Sequence, residues 1–259
     1  MNKEQDLLED KILRYAKSKI KELNLSLKNK VVLTECSSSY YKYLPIIASL
    51  SGAKKVYSFS RDNSYGKAEN FAKEGESIAR RHNLKNISFS TKMFNPSQLS
   101  SVDIITNSGA LRPLNSKFLQ FFKEGTCISL MYEKWEFRDG EIDLEFCKKN
   151  SIKVGGIFEN HPKLKVFERV GHLILKMIFE ANLEIYSQNF FVYSNDDFGR
   201  QIYKSLKSNN AGKVTVSDNF RNLYSKDITY DVIILSSYHE NKSFNSPSFF
   251  NISKIKKTN

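Results

Sequence analysis

Short runs of β-branched and aromatic residues alternate with helix-spaced segments along most of this chain, and that alternation restricts its fold more than any other feature. Strands are expected at Lys30–Glu35, Lys55–Ser60, Ile87–Ser90, Val102–Thr106, Cys127–Met131 and Ile152–Ile157. Helical spacing fills the gaps over Tyr41–Leu50, Gly66–His82, Ser116–Lys123 and Asp143–Asn150. In the second of these, Ala68, Phe71, Ala72, Gly75, Ile78 and Ala79 fall on one face. Strands joined through helices run parallel, because the right-handed crossover needs the intervening helix.

A helix over Lys3–Leu23 precedes the first strand, and a longer one over Val166–Leu183 follows the sixth. The pattern then restarts with strands at Phe190–Tyr193, Lys213–Ser217 and Tyr230–Ser236 and a helix at Phe198–Leu206. The expected fold is α/β, with two Rossmann-like parallel-sheet units joined by a long helix and the second unit incomplete. The boundaries read as an N-terminal helix over 1–29, an α/β domain over 30–165, a linking helix over 166–186 and a partial second domain over 187–259. A doubly wound domain needs further strands, and the polar stretch after Ser236 supplies none. An unpaired sheet edge of that kind favours pairing with another copy, so a homodimer is expected.

Composition narrows the function. The hydrophobic share of 40% and charged share of 26% are those of a globular protein. No apolar run is long enough to span a bilayer, and the charged N-terminus has no signal-peptide core. Cys36, Cys127 and Cys147 are odd in number and far apart, which fits neither a disulfide framework nor a zinc site. A cytoplasmic location and no metal are therefore expected. The net charge of +12 comes from dispersed lysines without a nucleic-acid motif. A positive field of that kind favours an anionic small molecule or a nucleotide over nucleic acid.

Ligands of open α/β sheets bind beyond the carboxyl ends of the strands, so the loops there hold the candidate residues. Glu35 can accept ribose hydroxyls or serve as an ordinary helix-end carboxylate. Ser37 and Ser38 can cradle a phosphate or simply cap the helix that follows. Asp62, Asn107, Ser108, Arg112, Arg138 and Glu159 complete the ligand-binding candidates, with Trp135, the one tryptophan of the chain. Glu133 and His161 are the catalytic candidates; the imidazole titrates near neutrality, and a surface role beside Pro162 is the plainer alternative. Cys36 has no histidine near it in sequence and reads as a buried thiol.

In the second unit the turn from Ser194 to Gly199 stands where a dinucleotide fingerprint, G-x-G-x-x-G, would stand. Gly199 keeps the helix-packing glycine, while Ser194 and Asp196 replace the other two. Asp218 falls 19 residues after Gly199, at the place of the ribose-binding acid. Gly199 and Asp218 are thus the cofactor-binding candidates, with NAD or NADP as the cofactor.

The layout of an α/β unit, a long helix and a second unit opening on the turn DDFGR at 196–200 resembles the D-isomer 2-hydroxyacid dehydrogenases, with S-adenosylhomocysteine hydrolase as a relative. The segments Asp103–Met131 and Ile142–Ile157 are similar to that clan's strand–turn–helix–strand patterns. The resemblance implies an NAD(P)-dependent oxidoreductase-like protein acting on a small polar metabolite. No catalytic Arg–Glu–His set of the clan can be placed on this sequence. The segment Val31–Asn63 resembles instead the opening of a class I methyltransferase, with Glu35 and Asp62 as its two acids and without its glycines. That resemblance implies an S-adenosylmethionine-dependent alternative. The lost glycines leave a third: a non-catalytic binding or accessory protein completed by a partner.

Overall fold

The computed structural model describes residues 3–133, 136–224 and 228–236. The chain divides into a first unit, Met1–Phe158, and a second, Glu159–Asn259.

The first unit opens with α1 (Lys3–Glu22) and β1 (Val31–Glu35), followed by a 3-10 turn (Ser39–Tyr43) and α2 (Leu44–Leu50). Then come β2 (Lys55–Phe59), α3 (Ala68–Arg81), β3 (Ile87–Ser90), α4 (Pro96–Leu99) and β4 (Ile104–Thr106). A 3-10 turn (Gly109–Leu111), α5 (Ser116–Leu119), β5 (Cys127–Ser129), α6 (Leu144–Lys149) and β6 (Lys153–Gly155) complete it. The six strands form one parallel sheet in the order β3-β2-β1-β4-β5-β6. This is the strand order of a full Rossmann fold.

Strand parity divides the core into two layers. Val32 pairs with Val56 and Ile104, and these side chains join Ala48 and Ala53 on the face covered by α2. Leu33, Ile105 and Ile128 point the other way and pack with Leu99, Leu119 and Cys147 from α4, α5 and α6. Those three strand residues are fully buried, while every residue of the edge strand β3 is only partly so. Burying a side chain of this size contributes about 1.5–3 kcal/mol, so the central strands hold the sheet. Helix α1 docks through Leu13 against Tyr43, Ile46 and Ile78, and its Glu9 meets Arg81 and His82 at the end of α3.

Several elements are shorter than their sequence patterns. The helix expected over Ser116–Lys123 stops at Leu119, and the strand expected over Cys127–Met131 stops at Ser129. The segment read as one helix over Tyr41–Leu50 begins as a 3-10 turn, and α2 starts only at Leu44, with Pro45 in its first turn. Proline suits that position because its missing N–H would be unsatisfied there anyway. Helix α4 has no counterpart in the helical spacing of the sequence, although Asn95 and Gln98 form a capping box at its start.

The second unit contains α7 (Val166–Glu180), β7 (Phe190–Tyr193), α8 (Asp197–Ser208), β8 (Val214–Ser217), a 3-10 turn (Phe220–Tyr224) and β9 (Val232–Leu235). Its strands are parallel in the order β8-β7-β9. Phe190, Val192, Ile202 and Leu206 form its core with Ile178 of α7, against which Val170 and Ile174 also pack. Helix α7, within the segment expected as a linking helix over 166–186, contributes Ile178 to the second unit's core. On α7 only Gly171 and Ile178 are buried, with Val170, Ile174 and Leu175 partly so. The strands expected to be missing after Ser236 concern residues outside those described.

Among the described residues, no helix is long and apolar enough to cross a membrane. No cluster of three or more potential metal ligands occurs among them either.

Candidate functional site

Strand order reverses at β1, which has β2 on one side and β4 on the other. The crossover connections leave in opposite directions there, and a crevice opens beyond the strand ends. In the first unit a cavity of about 300 Å³ occupies this place, lined by Glu35, Ser37, Ser38, Arg61, Ser108 and Arg112 among others. Tyr41 and Tyr65 form part of its wall and are 43% and 81% exposed, so the rim is aromatic and open to solvent.

Glu35 is the last residue of β1 and is only 3% exposed. Its Oε2 accepts a hydrogen bond from the Ala110 main-chain N–H at 2.6 Å. Burial raises its pKa above the ordinary glutamate value, and the Ala110 N–H, Arg112 and Arg61 only partly oppose that effect. The crevice thus holds a carboxyl group that keeps its proton to higher pH than an exposed glutamate does.

The loop after β4 is fixed by a polar network beneath the crevice. Arg112 donates from Nε to Asn107 Oδ1 at 2.9 Å, from Nη2 to Asn107 O at 3.0 Å and from Nη1 to Glu141 Oε1 at 2.9 Å. Tyr132 donates its hydroxyl to Glu141 Oε2 at 2.6 Å and accepts from Asn107 Nδ2 at 2.9 Å. The Tyr132 ring lies 5.5 Å from the guanidinium. Burial, reinforced by Glu141, pushes the phenol up to about 12, so it stays a donor. Arg112 reaches the crevice wall, but its guanidinium is committed to this network.

Arg61 is placed differently. It follows β2 and reaches across the end of β1, donating from Nη2 to Gly109 O at 2.9 Å and from Nη1 to Arg112 O at 3.3 Å. Both acceptors are neutral carbonyls, and Arg61 forms no ion pair among the described residues. Its neighbour Asp62 is already engaged: one oxygen accepts from Lys67 Nζ at 2.6 Å and the other from the Ala68 N–H at 2.9 Å. The Lys67 ammonium and that N–H hold the Asp62 carboxyl below its ordinary pKa.

The crevice therefore gathers Glu35, Ser37, Ser38, Asp62, Ser108 and Arg112 of the sequence candidates. Ser37 Oγ accepts from Asn63 Nδ2 at 2.9 Å, and Ser108 Oγ lies 3.2 Å from Thr106 Oγ1. Ser38 holds the N-cap position of the 3-10 turn and makes no side-chain cap bond, so the plain capping role fails for it. Asn107 is fully buried beneath the crevice as a support for Arg112 and Tyr132 rather than a wall residue. Arg138 is exposed with Nη1 at 3.7 Å from Glu141, and neither it nor Glu133 lines the cavity. Trp135 lies outside the described residues. Glu159 and His161 belong to the second unit, where His161 is exposed and its Nδ1 accepts from the Lys163 N–H at 3.2 Å.

The cavity wall also contains Arg61, Tyr41, Asn63 and Tyr65, none of which the sequence reading chose as a ligand residue. The available signal was position, since Arg61 directly precedes the chosen Asp62 in the same loop. Cys36, next to Glu35, points to the opposite face, where its Sγ donates to Phe71 O at 3.2 Å. Burial pushes that thiol up to about 12, so it is a packed side chain and not a nucleophile.

In the second unit, Gly199 is where close packing demands it. A Cβ there would lie 2.6 Å from Ser194 Cβ and 2.9 Å from Val216 Cγ1. Asp218 directly follows β8, is exposed, and has no side-chain hydrogen bond among the described residues. The turn between them is closed by its own side chains. Asp196 Oδ1 accepts from the Phe198 N–H at 3.0 Å and from Ser194 Oγ at 2.8 Å, and Ser194 Oγ accepts from the Gly199 N–H at 3.1 Å. A pyrophosphate would need those amides. The first amides of α8 are thus occupied by the turn's own side chains.

No protein-family model matches the chain, and no curated protein matches it. Solved structures resemble it in fold. A dipicolinate synthase from Bacillus halodurans aligns at 14% identity with a TM-score of 0.46, over 77% of this chain and 66% of that one. Quinate dehydrogenase from Corynebacterium glutamicum in complex with NAD aligns at 9% identity and a TM-score of 0.38, over 54% of this chain and 48% of that one. A Trypanosoma brucei PRMT1 enzyme–prozyme complex with AdoHcy aligns at 22% identity and a TM-score of 0.25, over 38% of this chain and 28% of that one. This chain thus spans just under two thirds of the first of these proteins and less of the others.

Proposed function

We propose that this chain is an NAD(P)-dependent oxidoreductase-like protein that takes a small polar metabolite in the crevice of its first unit. The observation that carries the reading is a buried carboxyl, Glu35, placed at the switch point of a full Rossmann sheet. A carboxyl whose pKa is raised by burial can give or take a proton at a substrate hydroxyl, which interconversion of an alcohol and a carbonyl requires. The nicotinamide cofactor would supply the hydride chemistry, with Gly199 allowing helix approach and Asp218 holding the adenosine ribose.

The test is a titration of the full chain with NADH and with NADPH, followed by fluorescence or heat. Saturable binding of either cofactor, weakened by Asp218→Ala, is the expected result. Absence of binding of both at millimolar concentration removes the reading. A second reading, a binding protein without redox chemistry, is favoured by Asp196, whose carboxylate stands where the phosphates would go. It predicts metabolite binding in the first unit together with failure of both cofactor titrations.

A further inference from the structure

We infer that the free edge of β3 and the flank of α3 form a docking groove for an extended segment of a partner protein, one that carries an acidic side chain and adds a strand to the six-stranded sheet. The groove has a volume of about 500 Å³. Among the described residues its lining shares none with the crevice at the switch point, so it does not depend on the oxidoreductase reading.

The backbone of β3 meets the first requirement. In a parallel pair the N–H and C=O of one residue point to the same side, and successive residues alternate sides. Asn86 and Ser90 turn inward, where their carbonyls accept from the N–H groups of Val56 and Ser60 at 2.9 Å each. Ile87 and Phe89, one residue out of step, therefore turn theirs outward, where β3 has no neighbouring strand. No hydrogen bond to those outward groups occurs among the described residues. A row of unpaired donors and acceptors is a template for one more strand. Helix α3 gives that strand a second wall. It lies against the Phe89 ring at Gly75, where a Cβ would come within 2.5 Å of the ring. The groove runs between Ala79 and Arg80 of this helix and Ile87, Ser88 and Phe89 of the strand. In a groove between a strand edge and a helix, main-chain bonds give affinity and alternate side chains give specificity.

Charge and apolar surface decide the occupant. Ala79 is buried and Leu84, Ile87 and Phe89 are half-buried, so the floor accepts an apolar side chain. Arg80 and Lys85 on the rim are exposed and form no ion pair or side-chain hydrogen bond among the described residues. Lys92 lies just past the other end of β3, and among the described residues the lining has one acid, Glu76. A second copy paired edge to edge about a two-fold axis would bring Lys85 and Lys92 of both copies to one seam, and lysines at an edge keep like edges apart. The C-terminal stretch of the chain carries Lys254, Lys256 and Lys257, so its charge does not complement the groove either. An acidic segment does. Its side chains alternate faces, so an apolar residue over the floor is followed two positions on by a carboxylate that reaches Arg80 and Lys85. Complementary charge at such a rim sets the choice of partner more than raw affinity.

Fluorescence anisotropy of the full chain with an end-capped, labelled peptide, Thr-Val-Thr-Glu-Thr-Val-Thr, tests this. Saturable binding below millimolar concentration is expected. Replacing the peptide's glutamate by lysine is expected to weaken it roughly tenfold or more. In a chain carrying Arg80→Glu and Lys85→Glu the order is expected to reverse, with the lysine peptide now the tighter. Both positions are exposed, and a reversed preference itself shows that the variant is folded. Methylating the peptide amides on alternate residues reads the strand pairing. One alternate set is expected to abolish binding and the other to leave it, because only one side of the added strand bonds β3. No saturation, equal affinity for the two peptides, no reversal in the double variant, or equal effects of the two methylated sets each overturns the inference. Light scattering of the same samples identifies the other occupant. An oligomeric state unchanged by peptide supports the inference, whereas a dimer whose formation competes with the peptide makes a second copy the partner and overturns it.

Discussion

The two units begin alike and end their first turns in opposite ways. In each the first strand, β1 or β7, is buried, parallel and followed by a turn of small polar residues, and each has a glycine where a helix presses on its neighbours. A Cβ at Gly75 of α3 would lie 2.6 Å from Cys36 Sγ and 2.5 Å from the Phe89 ring, much as one at Gly199 would strike Ser194 and Val216. In the second unit the turn folds back on itself, with Ser194 and Asp196 satisfying the first amides of α8. In the first unit Ser38 caps nothing, Ser37 is turned to Asn63, and Glu35 is drawn under the loop after β4. The difference teaches that topology prepares a site in both units, while the direction of a few short side chains decides whether it stays open.

Three experiments would break or sharpen this contrast. The largest effect is expected from Gly75→Val and Gly199→Val. Each forces a side chain into a contact under 3 Å and should cost about 3 kcal/mol, the upper end of overpacking, in denaturant unfolding. A loss well below that at either glycine would show that the two close approaches are not equivalent.

Next comes Glu35→Gln, expected to stabilise the chain once the pH is above the raised folded-state pKa of Glu35. Burial raises the folded-state pKa of Glu35, so the folded chain holds its proton more tightly than the unfolded chain does. The contribution of Glu35 to stability is therefore fully present below its unfolded-state pKa and is lost as pH rises through the folded one. The gain from Glu35→Gln should vanish as pH falls to the ordinary glutamate value of 4.5, which thermal melts at several pH values would show. A gain independent of pH would mean that the carboxyl is not held against its charge.

The smallest pair is Asp196→Ala against Ser38→Ala. The first removes a cap and should cost about 1 kcal/mol. The second removes no hydrogen bond and should stay within about 0.5 kcal/mol. Equal losses would erase the distinction between a closed turn and an open one.

The strands were legible wherever β-branched and aromatic residues gather in a short run. Ile87–Ser90 and Phe190–Tyr193 match the sequence reading residue for residue, since every pattern signal there agrees. Helix α4 was not legible, because four residues are too few to show a period. Of the site, Glu35 and Asp62 could be found by placing polar residues after strands, a rule that follows from topology alone. Arg61 could not be told from any other loop arginine. Its significance comes from a reach across β1 to the carbonyls of Gly109 and Arg112, residues 48 and 51 positions away. Asn107 shows the reverse case: polar and at a strand end, it is buried and bonded to Arg112 and Tyr132, which converge on it from later in the chain.

Local sequence alone determined the alternation of strand and helix, and with it a parallel sheet, because side-chain period and crossover handedness are properties of short segments. The tertiary structure decided which charges are matched. Lys67 neutralises Asp62 and Glu141 holds Arg112, while Arg61 hydrogen-bonds to carbonyls and lies near the buried Glu35. Charge pairing acts through space at a few ångströms, and only the folded backbone sets which distant residues come that close.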